Sequence, residues 1–354
     1  MAMPETVETQ IFYLDQDNLD MRLIEIAAAK LRAGGLVAFP TETVYGLGAN
    51  AFDPDAVNRI FIAKGRPASD PIIVHIHELA RLEEVAVRIP DLARQLAAKF
   101  WPGPLTMILE RSEKIPPNVS AGLPTIAVRM PNHPVALALL QIADLPVAAP
   151  SANRFAHPSA TLAAHVHDDL NGRVDIILDS GAANIGLEST ILDLTKTPPV
   201  VLRPGGLTLE TLREIIPDVQ VLSKHLRADE AGIEAPGMLY KHYSPRARLL
   251  LFLGGGERVI LAMRTRAKQL LADNKKIGIL AVNDEQSEFD GLAAHFFLLG
   301  STLPDISHNL FIGMRELDRL GVDVILVRGL DQSGLGAALW DRLLRAAEGH
   351  VINC

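Results

Sequence analysis

Two short runs hold the residues best suited to act on an anion. In K-G-R-P-A-S-D-P, residues 64–71, Lys64 and Arg66 flank a glycine and precede a proline. Two cations held close on a stiff loop suit phosphate oxygens, which take charge-assisted bonds from an ammonium and from a guanidinium fork. The same spacing also describes a solvated basic loop, the usual state of such side chains. In A-P-S-A-N, residues 149–153, Ser151 and Asn153 offer small uncharged polar groups able to bind phosphate, ribose or carboxylate. A Ser/Asn turn ahead of Pro158 is the alternative.

T-E-T-V-Y-G-L-G at 41–48 adds Thr41 and Thr43, which face one way if the run is extended, and two glycines that let backbone approach a ligand. The run fits neither G-x-G-x-x-G nor the P-loop pattern. Tyr45 reads as a core tyrosine or a stacking wall. Arg129 lies in the apolar run LPTIAVRMP, where a buried guanidinium must be paired, with a protein carboxylate or a substrate carboxylate. His75 and His77 share a face if their strand continues, but zinc would need a further ligand, and neither H-E-x-x-H nor paired cysteines occur. G-G-G-E-R at 254–258 follows an apolar run, yet Asp273 precedes the next strand instead of ending it, so a glycine turn at a helix N-terminus is favoured over a dinucleotide site.

These groups need a scaffold. LDMRLIEIAAAKLRA (19–33) has helical spacing and stops at Gly34-Gly35; LVAFP (36–40) reads as a short buried strand. DPDAVNRIFIA (53–63) reads as a helix capped by Asp53 with Pro54 at its first position. PIIVHI is a strand and ELARLEEVA a helix. WPGPLTMIL turns into a strand, LPTIAVRMP is a strand, 133–142 is helical, and LPVAAPSAN runs from strand to loop. VDIILDSG, STILDL and PVVLRPG supply three more strands, and TLETLREII a helix. So many strands with interspersed helices predict a twisted sheet with helices packed on it. Breakers and mixed charges at 221–248 read as a linker. From 249 the alternation restarts as a small α/β domain of mostly parallel strands, closing on the helix GLGAALWDRLLRAAEG. The expected division is 1–220, a 221–248 linker, and 249–354.

The chain has 354 residues, enough for two domains, and 48% of them are apolar, as in a folded globular protein. The net charge of −8 argues against a large surface for wrapping nucleic acid. The single cysteine, Cys354, allows neither an intrachain disulfide nor a cysteine zinc cluster, which suits a cytoplasmic setting. The acidic start lacks the pattern of a secretory signal, and no apolar stretch has the length of a membrane helix.

Taken in order, these motifs resemble the two-domain threonylcarbamoyl-AMP synthases, the Sua5/YrdC/YwlC family. The resemblance runs through Thr41 to Gly48, Lys64-Gly65-Arg66-Pro67, Ser151-Ala152-Asn153, Gly186 to Asp193 and the linker P-G-M-L-Y-K-H-Y-S-P at 236–245. It implies a YrdC-like twisted sheet with flanking helices, plus a smaller Rossmann-like α/β C-terminal domain. It implies that L-threonine, bicarbonate and ATP, with Mg2+, give threonylcarbamoyl-AMP, pyrophosphate and water for threonylcarbamoyladenosine formation in tRNA. Lys64, Arg66, Ser151 and Asn153 would line the reaction centre. Arg66, Asp70, Thr125, Ser151, Ser159 and Arg203 would contact the nucleotide, with His242 and Tyr243 lying over it; Asp70 stands where the family usually carries asparagine. Thr43, His75, Arg129, Ser189 and the backbone of Ala149 would contact threonine. Partners implied are the proteins that transfer the product to tRNA, and a weak contact with tRNA itself. Rival readings are an RNA-binding protein, a different ATP-dependent carbamoyl transferase, and a nicotinamide enzyme acting through the C-terminal glycines.

Overall fold

A computed structural model describes residues 7–222 and 243–354. Contacts divide the chain into two compact units. One takes Met1–Phe155, Ser159–Asn184 and Glu188–Leu239; the other takes Ala156–Pro158, Ile185–Leu187 and Tyr240–Cys354. Residues 223–242, most of the expected linker, lie outside the described residues.

The described strands of the first unit are β1 (Gln10–Tyr13), β2 (Val37–Phe39), β3 (Gly46–Asn50), β4 (Ile73–His75), β5 (Ala86–Val87), β6 (Leu105–Arg111), β7 (Thr125–Arg129), β8 (Val147–Ala148), β9 (Ile176–Asp179), β10 (Thr190–Asp193), β11 (Val200–Arg203) and β12 (Gln220–Val221). They form one mixed sheet ordered β1-β9-β2-β3-β8-β4-β7-β6-β10-β11-β12, with β5 paired to β6. Alternation along the strands sorts side chains between its two faces. Leu36, Ala38, Val74 and Val128 enter the main core, where helices Pro54–Lys64 and Asp91–Phe100 contribute Val57, Ile60 and Leu96.

Val37, Phe39, Val147 and Ala149 enter a second core under helices Met21–Arg32 and Pro134–Ala143. The first of those helices buries Ile24, Ala27, Ala28 and Leu31, the i, i+3, i+4, i+7 stripe of an amphipathic helix. Leu31 is fully buried, so truncation to alanine would cost about 2–5 kcal/mol. Val147 and His75 are direct cross-strand partners and so share a face. The same face therefore continues onto β4, β7, β6, β10 and β11, where a smaller apolar cluster of Ile73, Ala127, Ile108, Ile191 and Leu202 lies.

Several expected elements differ. The expected helix ELARLEEVA breaks into a 3-10 turn, Leu79–Arg81, one helical turn, Leu82–Val85, and the strand β5. The strand expected to open 145–153 before the loop is only Val147–Ala148, because Pro146 and Pro150 bracket it and cannot donate to a ladder. Periodicity did not expose β1, β3, or the helices Asp91–Phe100 and Ala163–Leu170.

The second unit holds β13 (Arg248–Leu253), β14 (Ile277–Ala281), β15 (His295–Leu298), β16 (Val324–Arg328) and β17 (Val351–Asn353), ordered β15-β14-β16-β13-β17. Every pairing is parallel, as the unbroken apolar runs LLLFL and VILV predict for strands buried on both faces. The chain does not close on a helix. Helix Leu335–Ala346 ends, and Val351–Asn353 adds an edge strand beside β13. Asp273 caps the end of helix Glu257–Ala272, away from the strand terminus where a ribose-binding acid belongs.

Candidate active site

Helix Pro54–Lys64 carries the first cation to its place. Asp53 accepts from the amides of Asp55 and Ala56, Pro54 opens the helix, and Gly65 ends it in the left-handed region at φ +66°. That conformation suits glycine, and it lets the chain reverse between Lys64 and Arg66. Lys64 is buried, and its Nζ donates to the carbonyl oxygens of Ser151 and Asn153, at 2.5 Å each. The two motifs are thus joined through the backbone carbonyls of Ser151 and Asn153. Ser151 also forms an isolated bridge with Gly46, which ties the T-E-T-V-Y-G-L-G run to the same place. Asn153 is buried and its Nδ2 donates to the Arg154 carbonyl.

Arg66 turns back on its own loop. Its Nε and Nη2 donate to the carbonyls of Asp70 and Pro71, and Nη2 lies 2.9 Å from Asp70 Oδ1. Asp70 is therefore the ion-pair partner of Arg66, both of them buried. The carboxylate four residues on thus holds the guanidinium against its own loop.

On the face described above, His75, Arg129 and Thr106 stand in one row across adjacent strands, in register with one another. Arg129 is buried and well partnered. It donates from Nε to the Gly103 carbonyl and from Nη1 to Thr43 Oγ1 at 2.8 Å, and Nη2 lies 2.6 Å from Glu42 Oε1. Thr43 Oγ1 in turn contacts Thr41 Oγ1 at 2.8 Å, across a turn closed by the Thr41 hydroxyl donating to the Val44 carbonyl instead of along an extended strand. His75 is buried edge-on to Phe39, and its Nδ1 has no hydrogen-bond partner. Burial, reinforced by the Arg129 charge, pushes its pKa down to about 3, so the imidazole is neutral at neutral pH. The strand stops at His75, so His77 does not share its face as an extended strand would require; it sits beside Glu78.

Thr106 Oγ1 contacts Ser189 Oγ at 2.7 Å, and Arg203 donates from Nε and Nη2 to the Ser189 carbonyl. Ser159 Oγ donates to Glu188 Oε1 at 2.5 Å. Ala149 is buried and its amide donates to the Ile73 carbonyl. Thr125, half-buried, begins the strand that ends at Arg129 and shares its face. Tyr45 is the core tyrosine, its hydroxyl donating to the Gly181 carbonyl at 2.7 Å. Tyr243 is buried in the second unit, stacked on Phe311 at 5.3 Å with the Arg342 guanidinium 5.3 Å from its ring. His242 lies outside the described residues.

Lys64, Arg66, Arg129 and Arg203 are all buried in this unit, against the buried carboxylates Glu42, Asp70 and Glu188. Asp193 is a fourth buried carboxylate of the unit, so among the described residues the unit's buried cations and carboxylates balance in number. Among the described residues no group of three or more His, Cys, Asp or Glu could hold a metal ion. Three participants escaped notice in the sequence. Glu42 lies inside the quoted T-E-T run, and Thr106 interrupts an apolar strand at the alternation of Ile108. Nothing about Glu188 marks it out locally.

Comparison with known proteins divides the chain near residue 206. The family described as "Telomere recombination" matches residues 29–205, and the threonylcarbamoyl-AMP synthase C-terminal domain matches residues 207–348. The threonylcarbamoyl-AMP synthase of Pyrococcus abyssi is 46% identical over 334 residues, covering 93% of this chain and 95% of its own. That of Bacillus subtilis is 41% identical, covering 92% and 93%. The crystal structure of P. abyssi Sua5 complexed with L-threonine superposes with a TM-score of 0.92 at 44% identity, covering 97% of this chain and 99% of that one.

Proposed function

Because the chain belongs to the threonylcarbamoyl-AMP synthase family, we propose that it converts L-threonine, bicarbonate and ATP to threonylcarbamoyl-AMP, pyrophosphate and water. The observation that carries this reading is the buried row His75, Arg129 and Thr106, with Ser189 on Thr106, in a chain matched almost end to end by a relative crystallised with L-threonine. The row supplies a guanidinium for a carboxylate, and a neutral imidazole whose Nδ1 can accept from a hydroxyl.

The reaction needs no protein nucleophile. The threonine amine becomes a carbamate on carbon dioxide or activated bicarbonate. A carbamate oxygen then attacks the α-phosphorus, and pyrophosphate departs. The protein's task is alignment and stabilisation of charge on the phosphoryl oxygens. Lys64 and Arg66 provide the cations, and Ser151, Asn153, Asp70, Thr125, Ser159 and Arg203 line the nucleotide side. Arg203 and Thr106 fix Ser189 between the two halves. Mg2+ would arrive with the triphosphate, carried mainly by its oxygens and by water.

The product is a mixed anhydride that hydrolyses readily, which favours a site closed to bulk water. On this reading the protein is a cytoplasmic nucleotidyltransferase of tRNA processing, supplying proteins that pass the threonylcarbamoyl group to tRNA, with at most a weak tRNA contact of its own. The test is pyrophosphate release by the full chain with ATP, threonine and bicarbonate. Release should require all three, and release that ignored threonine or bicarbonate would refute the reading.

A further inference from the structure

Glu42 is a buried acid with an incomplete set of donors. Its side chain is 7% exposed, one oxygen lies 2.6 Å from Arg129 Nη2, and neither oxygen accepts a hydrogen bond of normal geometry. A buried carboxylate ordinarily collects two or more donors, so a missing set points to a ligand that supplies them. The surroundings fit such a ligand. Thr43 and Arg129 adjoin Glu42, and His75, on the strand beside Arg129, presents an Nδ1 with no partner.

We propose that Glu42 receives the ammonium group of the amino-acid substrate and so selects for an α-amino acid. The inference rests on the preceding reading, in which Arg129 takes the substrate carboxylate. An α-amino acid carries both its charges on one carbon, so an ammonium must lie close to whatever binds the carboxylate. Beside a lone buried Arg129 that ammonium would meet a like charge. Beside the Glu42–Arg129 pair, the four charges alternate: guanidinium, substrate carboxylate, ammonium, Glu42 carboxylate. Each charge then has opposite neighbours and the buried set is neutral, the condition under which low-dielectric burial is tolerated. His133, whose imidazole feels the Glu42 charge, is held toward its neutral form by burial; its Nδ1 accepts from the Val135 amide and its Nε2 lies 3.4 Å from Ser180 Oγ, so it does not supply the missing donor. The hydroxyl of the substrate is left to His75 Nδ1.

A site built to bind an N–H group discriminates against the analogue that lacks it. The experiment compares L-threonine with (R)-3-hydroxybutyrate, which is threonine without its amine, by calorimetric titration of the full chain. Wild type should bind threonine at least about tenfold more tightly than the analogue. Glu42→Gln keeps the volume and removes the charge. It should lose at least about tenfold in threonine affinity while holding the analogue within about twofold, closing the gap. Glu42→Asp retains the charge and should retain the preference, which guards against a variant that merely packs badly; melting curves are taken for both. Equal weakening of both ligands in Glu42→Gln, or an unchanged preference, would overturn the proposal while leaving the functional reading beneath it standing. Failure of wild type to bind threonine at all would instead overturn the functional reading beneath it.

Discussion

The ammonium of Lys64 lies 2.5 Å from the carbonyl oxygen of Ser151, a residue 87 positions further along the chain. One buried cation thus ties the end of helix Pro54–Lys64 to the loop that leaves β8, and its second bond, to the Asn153 carbonyl, fixes that loop on both sides of Ala152. The arrangement combines support with charge. The lysine that holds the loop also brings a positive field to the place where a phosphoryl group would be transferred.

Removing either cation of this loop should slow the reaction. Lys64→Ala and Arg66→Ala should each lower kcat/KM for pyrophosphate release by at least about tenfold, or about 1.4 kcal/mol of transition-state stabilisation. Arg66→Lys should not restore full activity. It keeps a charge but loses the fork that spans the Pro71 carbonyl and the Asp70 carboxylate. Wild-type rates in both folded alanine variants would contradict the mechanism.

Arg129→Ala should weaken threonine binding by at least about tenfold and ATP binding by no more than about threefold, since the guanidinium lies in the row proposed to hold threonine. It should also lower the melting temperature. Breaking a buried pair by removing one partner leaves the other charge, here Glu42, uncompensated, at about 3–5 kcal/mol. Titration of each ligand below the variant's melting point separates the two effects, and equal loss of both ligands would refute the assignment.

Thr106→Val should act through Ser189. The substitution keeps the shape and deletes the hydroxyl that contacts Ser189 Oγ at 2.7 Å, a bond worth about 1 kcal/mol. Threonine affinity should fall several-fold with little change in the affinity for ATP. An unaltered threonine affinity would show that Ser189 is oriented by Arg203 alone.

Stability should depend on pH through His75. Its folded pKa of about 3 lies below the ordinary 6.5, so above pH 6.5 neither state is protonated and the group contributes no pH dependence. As pH falls from 6.5 toward 3 the unfolded chain takes up a proton that the folded one refuses, and stability declines by up to about 1.4 kcal/mol per unit. Denaturation of wild type and His75→Gln across this range should show the stability difference shifting against wild type by about 2 kcal/mol between pH 6.5 and pH 4.5. Parallel curves would mean that the buried histidine does not titrate as its surroundings require.

Gly205→Ala should damage both fold and site. A Cβ at this position would come within 2.4–2.5 Å of the backbone at Glu188, Ser189 and Thr190, and no flexible side-chain end could yield. The strand start that carries Ser189 must then shift. A lower melting temperature together with a raised KM for threonine is expected, and an unaffected KM would show that the displacement is absorbed elsewhere.

Local sequence determined what local physics controls. Asp53, Pro54 and Gly65 fixed both ends of the helix that delivers Lys64, because capping and left-handed geometry are decided within a few residues. Unbroken apolar runs determined the parallel sheet of the second unit, and the motif order pointed to the family. The short elements resisted reading: two prolines shorten the strand at 145–153, and β1 and β17 gain their pairing only from distant partners. Tertiary structure alone decided which charges meet. Sequence required a partner for Arg129 without naming it, and folding supplied Glu42 from 87 residues upstream. It set Thr106 beside Ser189 and turned Arg66 onto Asp70. Ion pairing depends on distances that a twisted sheet establishes between remote strands, and a pattern along one segment carries no record of them.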